Sequence, residues 1–541
     1  MVSPDVYGRI LLQFKVVGVN HKFGFAWRRR RGALQSSLHD ARETVENHVV
    51  VVVSDPLETE LKLELAPSDQ SRLNLAGLSA TPEGPAKSLI STYYDTPDQQ
   101  LRKGGYSLRI RESGGRYVQT VKAQPNAASG FFVRPEWEHE IPRARPEPSE
   151  MGPLARDLGA DVLKELGRAF VTEIERKVHK VQLNGATIAI ADDSGEVRAG
   201  RHADPIREVE LELESGDPRA LFLLARRIGD DIPVRLGVRS KSERGYQLLD
   251  RRKSKAFKSE PIALKPDDPT DVAFERIAHS CIRQFRLNET LLLAAGEPEP
   301  LHQARVGLRR LRSAFSIFAP LFAGDERAQL LRAELRWLSV ELGQVRDLDV
   351  LMQSLSDTDK QVVADLRATA FTHAMVEVDS ARTRLLMLDL TEWLAFGDWR
   401  QTPLKPELVR RAIGEAAADI LTKRAKKFKR HGRKLRELSD EDRHELRKEG
   451  KKLRYASEFF AGLYRDGAAR PEHRAFLEKL EKLQDDLGEL NDLATFPELL
   501  ARIGLTGDTL GGEGADRDTL LDHADRAYHD LIGVKRFWRV D

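Results

Sequence analysis

The spacing of hydrophobic residues divides the chain into two halves of different character. Between residues 55 and 250, apolar and polar side chains alternate with a period of two, and Gly-Gly and Asn-Gly pairs interrupt the alternation. This pattern predicts β-strands joined by tight turns. Between residues 270 and 500, apolar residues recur every three to four positions and glycine is sparse, which predicts amphipathic helices.

Domain boundaries follow from these changes of pattern. A chain of 541 residues is too long for one hydrophobic core, so we expect several domains. Residues 1–54 show no sustained period, and residues 251–269 combine Lys and Ser with two prolines. We predict an N-terminal extension at 1–54 that is disordered or not native, a strand domain at 55–250, a linker at 251–269, a helical domain at 270–503 and a tail at 504–541.

Charge and cysteine content narrow the class of protein. Lys and Arg (87) nearly cancel Asp and Glu (85), yet residues 423–454 are strongly basic and residues 485–492 are acidic. The single cysteine, Cys281, excludes a disulfide within the chain and a zinc site built from cysteines. No segment approaches the ~18 consecutive apolar residues of a membrane span. We therefore expect a cytoplasmic protein that does not enter a membrane.

Charged residues share one face of the first predicted strand. Because side chains alternate along a strand, Glu58, Glu60, Lys62 and Glu64 lie on one side of the segment 57–65, and leucines dominate the other side. A single strand of this kind is typical of a sheet with one face in water. It does not by itself indicate a site.

The same pattern recurs in later strands, with both signs of charge. The charged positions are Arg109 and Arg111, then Lys122, then Arg134, Glu136 and Glu138, then Glu208, Glu210, Glu212 and Glu214, with Lys241 after a further strand. If these faces point inward, they line a polar tunnel. Its carboxylates would bind hard cations such as Mg²⁺ or Mn²⁺, and its basic side chains would bind phosphate oxygens. Charge neutralisation and alignment of an attacking water are most of what phosphoryl transfer needs, so the pattern favours a metal-dependent phosphohydrolase.

Ordered motifs over about residues 57–250 resemble the CYTH family, the triphosphate tunnel metalloenzymes. They are Glu58-Thr59-Glu60-Leu61-Lys62, Tyr94-Asp95-Thr96-Pro97, Leu108-Arg109-Ile110-Arg111, the run of alternating glutamates from Glu208, and Ser240-Lys241-Ser242-Glu243-Arg244-Gly245-Tyr246. The resemblance implies an eight-stranded antiparallel β tunnel with an axial substrate site.

The resemblance also implies roles for individual residues. The implied metal ligands are Glu58, Glu60, Glu208, Glu210 and, within one position, Asp193. The implied phosphate contacts are Lys62, Arg109, Arg111, Lys122, Arg134, Lys241 and, within one position, Arg176. Lys62, Glu58 and Glu60 are the implied catalytic residues, and either Lys62 or a metal-bound water activates the nucleophile.

The helical half contains an internal repeat. His302, Arg305, Arg309 and Arg312 follow steps of three, four and three, which places them on one helix face, and His444, Arg447, Lys451 and Arg454 repeat this set. A second pair of similar blocks lies at 342–348 and 487–493, and the element from Leu342 to Asp347 is predicted to pack at a turn of a bundle. The two offsets are nearly equal, 142 and 145 residues. We therefore predict two similar helical bundles related by pseudo-symmetry.

The two basic stripes have several possible roles. A solvated charged face explains one stripe, but two stripes in register, each led by a histidine, favour binding of a polyanion. A metal is the weaker alternative, because a histidine and an arginine three positions apart make a poor metal site. Nucleic acid is a rival ligand, although Tyr455 is the only aromatic residue that immediately adjoins a stripe. The stripes resemble the CHAD family, the conserved histidine α-helical domain, over about residues 270–500. That resemblance implies an all-α fold, polyphosphate binding, and His302 and His444 as the namesake histidines.

The combined expectation is a multidomain α+β protein with an antiparallel eight-stranded β tunnel followed by an all-α domain of two pseudo-symmetric bundles. Its expected activity is hydrolysis of inorganic triphosphate with Mg²⁺ or Mn²⁺, while the helical domain binds longer polyphosphate, with or without attachment to polyphosphate granules. The alternatives are a non-enzymatic polyphosphate-binding protein and an enzyme for thiamine triphosphate, a nucleotide or ATP cyclisation. The acidic residues favour catalysis, and the sequence carries no base-binding signature. The oligomeric state stays open.

Overall fold

The computed structural model describes residues 57–66, 68–69, 72–123, 129–250, 255–353, 355, 357–465, 469–505 and 517–538. The predicted extension at 1–54 lies outside the described residues. So do the first part of the predicted linker, 251–254, and much of the predicted tail, 506–516 and 539–541.

The N-terminal half forms one antiparallel sheet. Its strands are β1 (Leu57–Leu65), β2 (Thr81–Pro82), β3 (Lys87–Asp95), β4 (Tyr106–Ser113), β5 (Arg116–Ala123), β6 (Phe131–Ile141), β7 (Gly167–Leu183), β8 (Ala186–Ala199), β9 (His202–Ser215) and β10 (Val234–Leu236). The hydrogen-bonded order is β10-β1-β6-β5-β4-β3-β7-β8-β9, and β9 also pairs with β1. The eight long strands therefore close into a barrel, which confirms the predicted fold of this half.

Tight turns fix the register of the longest strands. Asn184 and Gly185 adopt positive φ values of 51° and 80°, which suit the two-residue turn between β7 and β8. The ladder that follows pairs Arg176 with Asp193 and Asp193 with Glu208. On the other edge of β9, Glu210 pairs with Lys62 of β1. The strand register thus brings distant charged residues side by side.

Helices make up most of the C-terminal half. The helices of the N-terminal half are α1 (Gln100–Lys103), α2 (Leu154–Leu158), α3 (Ala160–Lys164), α4 (Arg219–Asp231) and α5 (Lys241–Leu249). Those of the C-terminal half are α6 (Thr270–Ala295), α7 (Pro298–Ile317), α8 (Glu326–Gln353), α9 (Asp357–Val378), α10 (Ala381–Phe396), α11 (Asp398–Gln401), α12 (Pro406–Arg410), α13 (Ile413–His431), α14 (Asp440–Phe459), α15 (Ala469–Arg502) and α16 (Arg517–Gly533). The predicted helical character of the second half is confirmed.

The repeated blocks lie on corresponding helices. The basic stripes are on α7 and α14, and the blocks at 342–348 and 487–493 lie inside α8 and α15. The expectation that the element from Leu342 to Asp347 packs at a turn is wrong. The Leu-Gly pairs of both blocks continue the long helices because the apolar residues around them, such as Leu342 and Leu487, are buried at helical spacing.

The chain divides into two compact units. The first holds residues 93–123 and 134–168, and its core includes Tyr106, Leu108, Val121 and Leu154. The second holds residues 58–92, 129–133 and 169–538. In the second unit, one continuous core runs from the strand residues Leu61, Leu211 and Leu236 through Phe222 of α4 to Phe274 of α6. Strands β1 and β7–β10 therefore share a core with the helices.

No helix among the described residues combines the length and the apolar character that a membrane crossing requires.

Candidate active site

Both faces of β1 are buried. Leu61 and Leu63, on the apolar face, are 0% and 1% exposed, while Glu60 and Lys62, on the charged face, are 3% and 2% exposed. A polar face in water would leave these charged side chains accessible. The charged face of β1 therefore points into the protein, as the tunnel hypothesis requires.

Lys62 and Lys241 lie between carboxylates. Lys62 Nζ is 3.1 Å from Glu208 Oε1 and 2.7 Å from Glu210 Oε1. Lys241 Nζ is 2.8 Å from Asp193 Oδ2 and 2.9 Å from Glu210 Oε1, and it also contacts Glu208. Each lysine thus bridges at least two carboxylates in a site from which water is largely excluded.

Arg176 completes this arrangement. Its Nε and Nη2 donate to the two carboxylate oxygens of Asp193 at 2.7 and 2.6 Å, and Nη2 also donates to Glu210 Oε2 at 2.6 Å. A bidentate guanidinium–carboxylate pair of this kind is among the stronger charge-assisted contacts. We call Lys62, Arg176, Asp193, Glu208, Glu210 and Lys241 the ionic cluster.

Local structure places Lys241 in the cluster. Lys241 is the first residue of α5, and Ser240 caps this helix: its hydroxyl accepts from the Glu243 N–H at 3.2 Å, while Glu243 Oε2 accepts from the Ser240 N–H at 2.7 Å. Gly237 lets the preceding segment approach β1, because a Cβ there would lie 2.6 Å from Lys62 Cγ. The cap and the glycine bring both lysines to the same carboxylates.

The lysines and glutamates of the cluster stay ionised despite their burial. Burial by itself would lower the pKa of Lys62, but the carboxylates of Glu208 and Glu210 raise it above its ordinary value. Burial opposes ionisation of Glu210 as well, yet Lys241 and Lys62 hold the pKa of this carboxyl well below its usual range. The two lysines are therefore ammonium ions that donate hydrogen bonds.

Three members of the cluster fit a divalent cation. Oxygen atoms of Asp193, Glu208 and Glu210 lie within 4.8 Å of one another, and Glu208 Oε2 is buried with no hydrogen-bond partner among the described residues. Carboxylate oxygens are the ligands that Mg²⁺ and Mn²⁺ prefer. This group does not include Glu58 or Glu60 in the described part of the chain; Glu58 is half-buried and Glu60 lies near enough to Lys62 to affect its pKa.

The first unit carries a second charged group on β4, β5 and β6. Lys122 Nζ is 3.0 Å from Glu136 Oε1, and Arg109 Nη2 lies 3.8 Å from Glu136 and 3.7 Å from Glu138. Arg134 precedes Glu136 on the same strand face and is 5% exposed. The group comprises four cations and two carboxylates: Arg109, Arg111, Lys122, Arg134, Glu136 and Glu138. Its excess of positive charge suits a phosphate-bearing ligand.

In the helical half, the basic stripes of α7 and α14 lie against each other. Arg309 Nε donates to the Tyr455 hydroxyl at 2.6 Å, and Arg310 pairs with Glu458 at 2.9 Å. Burial and repulsion by Arg447 and Arg309 lower the pKa of Lys451 to about 7. Burial, with repulsion by Arg309 and Arg346, also lowers the pKa of Arg305 to about 10, although Asp347, 3.8 Å away, opposes this shift. We call Arg305, Arg309, Arg447 and Lys451 the cationic cluster.

The outer members of the stripes have other neighbours. Burial and repulsion by Arg346 lower the pKa of His302, whereas His444 Nδ1 lies 2.6 Å from Asn491 Oδ1. Burial and repulsion by Arg336 and Arg332 lower the pKa of Arg312. Arg454 lies 3.2 Å from Glu458. The structure therefore brings four of the eight predicted stripe residues into one cluster and places the other four around it.

Sequence reasoning missed the partners of both clusters. Arg244 donates to Glu64 at 2.8 Å, so the second basic residue of the Ser240–Tyr246 motif binds β1. In the helical half, Arg305 donates to the Gly343 carbonyl oxygen at 3.2 Å, and a Cβ at Gly488 would lie 3.5 Å from Arg447 Nη2. For the helical half, the sequence signal for these contacts was the nearly equal offset of the two pairs of repeated blocks, 142 and 145 residues.

Comparison with known proteins identifies two families along the chain. The CYTH domain model matches residues 56–246, and the CHAD domain model matches residues 276–501. Both ranges lie inside the domains expected from the sequence.

Individual relatives match part of the chain. An inorganic triphosphatase from Haemophilus influenzae is 30% identical over 201 residues, which are 35% of this chain and 54% of that protein. The chain thus spans about half the length of this curated relative. The solved CHAD domain from the plant Ricinus communis is 27% identical, covers 52% of this chain and 97% of its own, and has a TM-score of 0.43. A candidate adenylyl cyclase from Hippeastrum, described as having a dominant triphosphatase activity, is 21% identical, covers 36% of this chain and 97% of its own, and has a TM-score of 0.29.

The carboxylate group generates a prediction for metal binding. The double variant Asp193→Asn/Glu208→Gln removes two negative charges at nearly constant shape, so we expect Mn²⁺ to bind about two orders of magnitude more weakly. Isothermal titration of the full-length chain with Mn²⁺ measures this affinity. Thermal unfolding is measured alongside, because breaking buried ion pairs costs about 3–5 kcal/mol.

Glu212→Gln is the matched control, since Glu212 lies on the same strand as Glu208 and its side chain is exposed. It should leave the Mn²⁺ affinity unchanged. Equal Mn²⁺ affinity of the folded double variant and the wild type would rule out this carboxylate group as the metal site.

Proposed function

We propose that this chain, which combines a CYTH domain with a CHAD domain, hydrolyses inorganic triphosphate with a divalent cation and binds longer polyphosphate on its helical domain. The similarity of its CYTH domain to an inorganic triphosphatase supports this substrate. Association with polyphosphate granules in the cytoplasm is part of the same proposal.

The ionic cluster is the observation that carries the proposal of an enzyme. A protein that only bound polyanions would gain nothing from Asp193, Glu208 and Glu210, because carboxylates repel phosphate. Burying them beside Lys62 and Lys241 also carries a desolvation penalty of several kcal/mol for each ion. A metal-dependent phosphohydrolase needs both sets of charges, the carboxylates for the cation and the lysines for the phosphate oxygens.

The chain's own side chains have distinct tasks in this proposal. Asp193, Glu208 and Glu210 would hold the cation, which supplies Lewis-acid activation and charge neutralisation when bound. Lys62 and Lys241 are held as ammonium ions. They donate to phosphate oxygens once the carboxylates that they contact in the free protein no longer accept hydrogen bonds from them. We therefore assign Lys62 to charge stabilisation, and we do not assign it the role of proton acceptor.

The other residues that the sequence predicted for the site are proposed to bind phosphate or to assist metal binding. Arg109, Arg111, Lys122, Arg134 and Arg176 are proposed phosphate contacts. The four in the first unit belong to a group in which cations outnumber carboxylates, which supports anion binding. Glu58 and Glu60 are proposed to assist metal binding. Glu60 lies near enough to Lys62 to help raise the pKa of that lysine.

The cationic cluster supports polyphosphate binding by the helical domain. A lysine pKa of about 7 indicates that burial and the positive charge of the neighbouring arginines oppose protonation of Lys451. A bound polyanion would relieve this repulsion. Nucleic acid fits less well, because Tyr455, the aromatic residue that adjoins the stripe, is 1% exposed and offers no surface on which a base stacks.

Phosphate release from tripolyphosphate tests the proposed activity. The wild type should release phosphate in the presence of Mg²⁺ and not in the presence of a chelator. The double variant Glu58→Ala/Glu60→Ala should lose about 10²-fold or more in rate, because it removes charge beside the proposed cation and phosphate. A colorimetric phosphate assay measures both.

The exposed pair Glu173 and Glu175 of β7 has the same spacing, so Glu173→Ala/Glu175→Ala is the matched control and should keep the full rate. Unchanged release by the Glu58/Glu60 variant would remove these two residues from the site. Absence of release by the wild type, with tight polyphosphate binding, would instead support the non-enzymatic alternative.

Proton uptake tests the role of the cationic cluster. Because the pKa of Lys451 is about 7 in the free protein, this amine is mostly neutral at pH 8. A bound polyanion raises the pKa, so binding should take up about one proton per site, and affinity should fall as the pH rises from about 7 to 9. Calorimetry of long-chain polyphosphate binding at pH 8, in two buffers with different protonation enthalpies, measures this uptake.

Lys451→Met should abolish the uptake and weaken binding. Lys448→Met, on the same helix and exposed, should change neither by more than about a factor of two. Identical proton uptake by wild type and Lys451→Met would contradict the placement of polyphosphate on this cluster.

A further inference from the structure

Helix α6 carries a stripe of buried polar side chains that the functions proposed above do not use. His279, Arg283 and Arg286 follow steps of four and three, which places them on one face of the helix. They are 9%, 7% and 1% exposed. Burying a charged side chain is costly unless it is paired, so two buried arginines at this spacing require specific partners.

Those partners lie in the two chain segments that hydrogen-bond to the backbone of Lys62. The backbone of Lys62 is held on both sides: its N–H donates to the Gly130 carbonyl oxygen at 2.8 Å, and its carbonyl oxygen accepts from the Gly237 N–H at 2.8 Å. The residue before each of these glycines binds α6. Ser129 Oγ lies 2.7 Å from His279 Nδ1, and the Leu236 carbonyl oxygen accepts from Arg286 at 3.1 and 3.2 Å.

Arg283 links α6 to the second lysine of the ionic cluster. Its Nη1 donates to the carbonyl oxygen of Val238, the residue that follows Gly237, and its Nη2 donates to Glu243 Oε1 at 2.8 Å. Glu243 is the residue that completes the cap of α5, and Lys241 is the first residue of that helix. Arg283 therefore holds the turn from which Lys241 reaches the carboxylates.

Apolar packing supports the same connection. Phe131, at the start of β6, packs against Phe222 of α4 and Phe396 of α10, with ring centroids 5.3 and 5.6 Å apart. Thr391 of α10 also lies 3.0 Å from Ser129. The segment that bears Gly130 is thus held by helices on both its polar and its apolar sides.

We propose that α6 of the helical domain is a structural part of the triphosphatase site, a proposal that rests on the triphosphatase function proposed above. His279, Arg283 and Arg286 are then positioning residues for Lys62 and Lys241. Their contacts fix the segments 129–130 and 236–243 against β1 and the ionic cluster. Small displacements of catalytic groups lower rates steeply, by about 10²-fold for 1 Å. The helical domain thereby serves the hydrolytic site in addition to binding polyphosphate.

Arg283→Met in the full-length chain tests this proposal, because it keeps the length of the side chain and removes the donors to Val238 and Glu243. We expect kcat/KM for tripolyphosphate to fall about 30- to 100-fold, with polyphosphate binding by the helical domain unchanged. Arg276→Met is the matched control on the same helix: Arg276 donates to the Ala263 carbonyl oxygen and to Asp268 instead, so kcat/KM should stay within about twofold of wild type. Thermal unfolding confirms that each variant is folded at the assay temperature.

A double-variant cycle separates positioning from general stability. Glu243→Gln alone should lower kcat/KM, and Arg283→Met/Glu243→Gln should be no worse than Arg283→Met, because both changes break the same link. Arg283→Lys should restore part of the rate, since a lysine still reaches one acceptor. Full kcat/KM in a folded Arg283→Met variant, or additive losses in the double variant, would overturn the proposal.

A second measurement keeps the two proposals distinguishable. If the wild type releases no phosphate from tripolyphosphate, the proposed function fails, and positioning is then measured as tripolyphosphate affinity in the presence of Mn²⁺. Weaker binding by Arg283→Met than by Arg276→Met would support positioning by α6. Equal affinities of these two variants, or no binding by the wild type, would overturn it.

Discussion

The mutual pairing of buried ammonium and carboxylate groups is the constraint on which the rest of the structure depends. In the protein without substrate, Lys62 and Lys241 remain charged out of water because Glu208 and Glu210 lie within about 3 Å of them. That geometry in turn requires the register of β1 against β9, the cap of α5 and the close approach at Gly237. A loss of any of these would leave a charge buried without its partner.

The two lysine sites of this chain show how neighbours decide the role of the same side chain. Around Lys62, carboxylates outweigh the effect of burial and raise the pKa, so the ammonium is held firmly and already has anionic ligands. Around Lys451, arginines add to the effect of burial, and the pKa falls to about 7. The first environment combines ligands for a cation with donors for phosphate. In the second, the neighbouring arginines oppose the positive charge of Lys451, and a bound anion would favour it.

Much of the fold and of the candidate site could be predicted from the sequence, because the patterns that indicate them lie within single strands and helices. Alternation along β1 predicted which residues share a face, and the repeated stripes predicted that α7 and α14 correspond. Contacts between distant segments could not be predicted. The pairing of Arg176 with Asp193 depends on the turn at Asn184. The position of Lys241 depends on contacts with α6, in which Arg283 lies 42 residues after Lys241 along the chain. The error at 342–348 has the same origin, since a Leu-Gly pair suits a turn or a helix until its packing is known.

The central claim is that the carboxylates of the ionic cluster exchange their lysine partners for a cation when substrate binds. Crystals of the full-length chain grown with Mn²⁺ and tripolyphosphate test it most directly through anomalous scattering of the metal. The account predicts an anomalous peak at coordination distance from Asp193, Glu208 and Glu210, with Lys62 Nζ and Lys241 Nζ contacting phosphate oxygens. An occupied substrate site in which both lysines keep their carboxylate partners, with Mn²⁺ bound elsewhere, would contradict it.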